Sequence, residues 1–127
     1  MTIIVDASVV LAVILGERGG IDVAQAMNGA TVSVVNLSEV YRRLIDAEVE
    51  AVDAVTKVGR LQMEIAPFDE GQAIAAAELR PSTRHIGASF ADRACLALAL
   101  TRGLPVYTAD RRWSELDLPI DIRQIRT

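Results

Sequence analysis

The sequence predicts an α/β fold: three layers, α/β/α, around a central, mostly parallel sheet of about five strands. Three observations carry that expectation. Short β-branched runs alternate with longer apolar segments of helical period. The strand-like runs are apolar at consecutive positions, as in "IIV", which suits strands buried on both faces. Hydrophobic residues make up 51% of the 127 while aromatics make up 4%, a composition of helices laid on a sheet rather than of an aromatic-rich sandwich.

The elements follow in order. "TIIVD" (2–6) reads as the first strand, and "SVVLAVILGE" (8–17) as a helix packed on several sides and ended near Gly16. "GGIDVAQAMNG" (19–29) is a short amphipathic helix stopped by Asn28 and Gly29. "ATVSVV" (30–35) is the second strand. "NLSEVYRRLIDAE" (36–48) is a helix with Leu37, Val40, Leu44 and Ile45 on one face, and "EAVDAVTKVGRLQ" (50–62) another, with Val52, Val55 and Val58 at near-helical spacing. "MEIAPF" (63–68) is the third strand, closed by Pro67 and Asp69, and "EGQAIAAAELR" (70–80) the next helix. "PSTRHIGAS" (81–89) is the best loop candidate. "FADRACLALALTRG" (90–103) is a long apolar helix, "LPVYTAD" (104–110) the fourth strand and "IDIRQI" (120–125) the fifth.

No repeat, low-complexity linker or composition shift divides the chain, so residues 1–127 are expected to form one domain. The single cysteine, Cys95, lies in an apolar helical stretch and reads as a buried thiol, which fits a reducing cytoplasm. No signal-peptide pattern opens the sequence, and charges interrupt every apolar run short of a membrane span, so no membrane role is expected.

The net charge of −4 argues against a general nucleic-acid coat, but it is unevenly spread. Residues 80–112 carry six arginines against Asp92 and Asp110, a local +4 that leaves −8 for the rest. Lys57 is the only lysine; arginine forks suit phosphate and carboxylate.

Chemistry is expected at the carboxyl ends of the strands, where an open α/β sheet gathers its ligands. Asp6 closes "IIVD" and Asp110 closes "VYTAD"; Glu39 and Asp92 fall in the predicted first turns of helices that start from the same rim. Carboxylates brought together there repel by up to about 4 kcal/mol per pair at 4 Å in an effective dielectric near 20, so a cation is expected in their midst. The candidates are all oxygen donors, with no histidine or cysteine in ligand spacing. That favours a hard cation, Mg²⁺ or Mn²⁺, over Zn²⁺. Ser8 and Thr108, two residues from Asp6 and Asp110, are placed to orient a carboxylate or water.

Each acid also has a structural alternative. "NLSE" and "SFAD" resemble capping boxes led by Asn36 and Ser89, and Asp6 and Asp110 could cap the turns that follow them. A non-catalytic protein-interaction domain with acidic helix caps is therefore the competing expectation. Other enzyme classes fit less well. There is no glycine-rich phosphate loop after the first strand, no partner for a nucleophilic Ser or Cys beyond the lone His85, and no acceptor aspartate on a middle strand with a late lysine. His85 reads as a surface residue and Trp113 as packing.

"VDAS", "SEV", "GASFADRACLALA" and "VYTADRRW" occur in the order of the blocks of PIN-domain ribonucleases, and the sequence resembles the VapC-type toxins of toxin–antitoxin systems over nearly its whole length. The resemblance implies a PIN-like sheet and an acidic quartet of Asp6, Glu39, Asp92 and Asp110 that holds Mg²⁺ or Mn²⁺. Our assignment within it gives Asp6 and Asp92 the most direct metal contact, Asp110 a second or water-mediated one, and Glu39 the orientation of water or a second metal. The resemblance further implies an RNA substrate, a homodimer and a cognate antitoxin that blocks the site. Arg93, Arg111 and Arg112, adjacent to the acids, are candidates to hold flanking RNA phosphates, with Arg80 and Arg84 guiding the strand.

Overall fold

The computed structural model describes residues 2–126. Five strands, β1 (Ile4–Val5), β2 (Thr31–Ser33), β3 (Glu64–Ala66), β4 (Val106–Thr108) and β5 (Ile122–Gln124), form one sheet in the order β3-β2-β1-β4-β5. Every pairing is parallel, with Ile4 opposite both Thr31 and Val106. Parallel neighbours require crossover connections, and helices supply them. α1 (Ala7–Leu15) and α2 (Gly20–Val23) link β1 to β2; α3 (Val34–Asp46) and α4 (Ala51–Gly59) link β2 to β3. α5 (Glu70–Glu78), α6 (Arg80–Thr83) and α7 (Phe90–Arg102) lead to β4, and a 3₁₀ turn over Arg111–Glu115 leads toward β5. The strand order reverses beside β1, so the crevice between the ends of β1 and β4 is the topological switch point.

Alternation along the strands separates two cores. Ile3, Val5 and Val32 face one layer, with Val9, Val10, Leu37, Val40, Leu44 and Ala54. Ile4, Ala66 and Val106 face the other, with Ala76, Leu96, Leu98 and Trp113. The helix expected to be apolar on several sides, α7, has Ala94 through Ala99 continuously buried. It packs on α3, α5 and three of the strands, which explains why its sequence shows no single stripe.

Two boundaries and one buried face differ from the expectation. "ATVSVV" leaves the sheet at Ser33, whose hydroxyl accepts the Val35 N–H at 3.2 Å and starts α3 at Val34. Asn36 therefore lies inside the helix rather than capping it, and Glu39 falls in the second turn instead of the first. The predicted loop 81–89 is largely helical: Pro81 sits at the start of α6, where a missing N–H costs nothing, and Thr83 Oγ1 donates to the Leu79 carbonyl at 2.8 Å. On α4 the buried face is Ala54 and Val58, so Val52 and Val55 are 70% and 57% exposed, and Ile45 on α3 is 52% exposed.

Gly20 brings α2 against α1 so closely that a Cβ there would lie 2.3 Å from the Ala12 carbonyl oxygen. Gly20→Ala is expected to cost about 1–3 kcal/mol in urea unfolding. An unchanged midpoint would mean that the α1–α2 contact gives way freely.

Candidate functional site

Asp6 leaves β1 in an extended conformation and caps α1. Its Oδ1 accepts from the Val9 N–H at 3.1 Å and from Ser8 Oγ at 2.6 Å, and its Oδ2 from Thr108 Oγ1 at 2.6 Å across the switch point. The two hydroxyls also accept in turn: Ser8 Oγ from the Ala109 N–H at 2.9 Å, Thr108 Oγ1 from the Asp110 N–H at 3.0 Å. The ends of β1 and β4 are thus stitched together by a carboxylate and two hydroxyls, and Asp110 is delivered to the same crevice.

Asp110 caps the 3₁₀ turn through the Arg112 N–H at 2.9 Å. Asp92 is the third residue of α7 and completes a capping box with Ser89, at 3.0 and 3.1 Å. Glu39 reaches the crevice from the second turn of α3, past any capping position. All four acids, with Ser8, Asn36, Ser89 and Arg112, line one cavity of about 410 Å³. Three of the four acids are therefore caps as well as cavity walls. Glu39 is the one that capping leaves unexplained.

The electrostatics follow from burial and company. Asp6 is only 6% exposed, and burial raises its pKa to about 6 despite the Ser8, Thr108 and Val9 hydrogen bonds that favour the anion, with the charge of Asp92 adding to the rise. Glu39 is raised by burial first and by Asp92 second, against the pull of Arg42 and Arg43. Asp110 is lowered, chiefly by its hydrogen bond from Arg112. The chain also sets a cation of its own among the acids. Arg112 grips Asp110 with Nε at 3.1 Å and Nη2 at 2.6 Å, stands 3.8 Å from Asp92 Oδ2, and donates Nη1 to the Ile86 carbonyl at 2.9 Å. Cys95 is fully buried, its thiol pushed well up by burial and then by the charges of Asp6, Asp92 and Glu39.

The donors fit a hard divalent cation in kind: carboxylates and hydroxyls, joined by Asn36. Asn36 is 2% exposed; its Nδ2 is fixed on the Ala91 carbonyl at 3.0 Å, which leaves Oδ1 buried without a partner at the cavity wall. Such an acceptor suits a cation or its water. As the side chains stand, however, no three or more His, Cys, Asp or Glu among the described residues are gathered tightly enough to hold an ion. Both oxygens of Asp6 are taken by hydroxyls and both of Asp110 by Arg112.

The other sequence candidates separate. Arg93 spends Nη1 on the Ala76 carbonyl of α5 at 3.0 Å and is not part of the cavity wall. Arg111 lines a second cavity, of about 380 Å³, with Ser114, Gln124 and Arg126; Gln124 Nε2 donates to the Asp110 carbonyl at 2.8 Å, so the two cavities flank Asp110. Arg80 and Arg84 are exposed on α6 and the turn after it. His85 is exposed with Nε2 3.0 Å from the Glu115 carbonyl, and Trp113 is 1% exposed in the core. Asn36 was missed by sequence reasoning, although it is in register with Val40 and Leu44 on the buried stripe of α3, where a polar residue is a signal.

A family model described as the PIN domain matches residues 3–118. No curated protein matches the sequence. The fold is shared with several toxin–antitoxin structures. DNA-bound VapBC from Salmonella typhimurium aligns at a TM-score of 0.74 and 19% identity over 98% of each chain. VapBC2 from Rickettsia felis, bound to a promoter DNA fragment, aligns at 0.73 and 14% over 98% of each. VapBC-5 from Mycobacterium tuberculosis aligns at 0.61 and 25% over 99% of this chain and 98% of the other.

Because folding raises the Asp6 pKa from 3.8 to about 6, the folded protein holds that proton more tightly than the unfolded one. The associated stability is full below pH 3.8 and is lost as pH rises to about 6, on the order of 3 kcal/mol. Thermal melts in chelator between pH 4 and 7 should show this decline, and Asp6→Asn should flatten it. An equal decline in the variant would show that Asp6 is not its source.

Proposed function

Since this chain belongs to the PIN domain family, we propose that it is a VapC-type toxin, a Mg²⁺- or Mn²⁺-dependent endoribonuclease that a cognate antitoxin neutralises. The observation that carries this is the convergence of Asp6, Glu39, Asp92 and Asp110 from four separate segments on one cavity at the switch point. Helix capping accounts for three of these acids but needs no such convergence, and does not account for Glu39.

When bound, the cation supplies Lewis acidity toward the phosphodiester and charge compensation for the departing oxygen. Asp6 and Asp92 would hold it most directly and Asp110 would be a further or water-mediated holder, with Asn36 Oδ1 a buried acceptor at the same wall. Glu39, with proton affinity raised by burial and by Asp92, orients the attacking water and takes up its proton. No protein nucleophile is required. Ser8 and Thr108 hold the Asp6 carboxylate in one orientation.

RNA is the substrate this reading assigns. Arg111 and Arg126, in the cavity beside Asp110, are placed to take a phosphate flanking the one that is cut, and single-stranded RNA suits such an arginine rim. The antitoxin is assigned by likeness to the VapBC complexes. Val52 and Val55 on α4 and Ile65 on β3, all exposed, offer apolar surface to it or to a second copy in a homodimer. A cytoplasmic site of action goes with this reading; among the described residues no helix is long and apolar enough to cross a membrane. The competing reading, an interaction module with acidic caps, is favoured only by the caps themselves and would show no saturable Mn²⁺ uptake.

Purified protein incubated with total RNA should cleave it with Mg²⁺ and not with chelator. Asp92→Asn, which keeps a capping oxygen, should leave the fold intact and slow cleavage on the order of 100-fold or more; a wild-type rate would exclude Asp92 from the chemistry. For a single-stranded oligonucleotide in chelator, Arg111→Gln and Arg126→Gln should each flatten the slope of log affinity against log salt by about 0.7. Unchanged slopes would remove the flanking-phosphate assignment and leave the nuclease standing.

A further inference from the structure

Resting on the reading that the acidic cavity takes a divalent cation, we propose that Arg112 is a built-in competitor for it: the guanidinium occupies Asp110 until the cation displaces it. Four contacts support this. Nε and Nη2 take the two oxygens of Asp110 as a fork, at 3.1 and 2.6 Å, so both oxygens already face a cationic group. The same Nη2 stands 3.8 Å from Asp92, between two acids that arrive on different elements. Nη1 is held from behind by the Ile86 carbonyl at 2.9 Å.

A second aspartate–arginine pair in the chain serves as the contrast. Asp121 and Arg123 are likewise two residues apart and form a fork, at 2.8 and 3.1 Å, on a single oxygen. Among the described residues, Arg123's remaining side-chain hydrogen-bond partner is the Tyr107 hydroxyl, and no other carboxylate lies within ion-pair reach. The spacing alone therefore gives a surface pair. What sets Arg112 apart is its position in the wall of the acidic cavity, its second carboxylate and its anchor on the segment that ends at Gly87, itself part of that wall.

Arg112 engages one lone pair on each oxygen of Asp110, and a guanidinium and a divalent cation on one carboxylate repel each other at that range, so the two compete for it. The Arg112 side chain is 52% exposed, so it has solvent to turn into. In the cation-free protein Arg112 relieves the repulsion among the acids; with the cation bound it is released at the rim, where a phosphate of the substrate can take it.

Mn²⁺ titration of metal-free protein, followed by electron paramagnetic resonance of the free ion, tests this on wild type, Arg112→Gln, Arg112→Lys, Arg111→Gln and Asp92→Asn. Arg112→Gln should bind about five-fold more tightly than wild type, Arg112→Lys should fall between them, and Arg111→Gln should match wild type. Melts in chelator should place Arg112→Gln below wild type, with a larger rise on adding Mn²⁺. A residue that merely braced the fold would lower the melting temperature without tightening the ion. Equal or weaker Mn²⁺ binding by Arg112→Gln, or by Arg112→Lys should the glutamine variant not fold, overturns the competitor. If Asp92→Asn still weakens binding in that case, the metal site itself survives. No Mn²⁺ uptake by any form overturns the nuclease reading and the competitor with it.

Discussion

The structure depends on one buried carboxylate. Asp6 sits where the strand order reverses, and its two oxygens accept from the hydroxyls of Ser8, in the first turn of α1, and Thr108, at the end of β4. Burial of that charge is unfavourable by itself. The hydrogen bonds from Ser8, Thr108 and the Val9 N–H offset part of the penalty, and the rest shows as a raised proton affinity. The network holds the end of β1 in register with the end of β4, which places Asp110, and opens α1 with a cap. Asp92 and Glu39 come to the same crevice on α7 and α3.

Capping and chemistry are usually posed as rival explanations for an acidic residue at a helix start. Here they are the same geometry. A carboxylate fixed by the first N–H groups of a helix loses rotamer freedom and presents its remaining lone pairs in a defined direction. Asp92 in its capping box and Asp110 on its 3₁₀ turn are oriented in this way before any ligand arrives. The cost is that removing such an acid affects stability and chemistry together, and only an isosteric change separates the two.

Much of this was legible in the sequence because it is carried by local signals. Strand-end acids, the apolar α7 and the terminator Gly16, at φ 68°, depend on residues near one another in the chain. What was not legible depends on distant partners. Arg93 and Arg112 look equivalent in sequence, each following an acid by one or two residues. One turns to a carbonyl of α5 and the other to the acids, and only the packing of α5 on α7 decides which. Asn36 was hidden by a boundary error, since the helix begins at Val34, capped by Ser33, and carries it inward. Segment 81–89 looked like a loop because Pro, Ser and Gly mark turns and also helix starts and stops.

The division of the hydrophobic interior has a consequence of its own. Ile3 and Val5 belong to one compartment and Ile4 to the other, so a sheet one strand thick insulates two cores that share no side chain. Volume changes beneath α4 are absorbed on one side, whereas α7 and Trp113 respond to the other. The outward surfaces of the molecule can accordingly drift to suit new neighbours on one flank while the opposite flank keeps its shape, and the crevice at the seam answers to both.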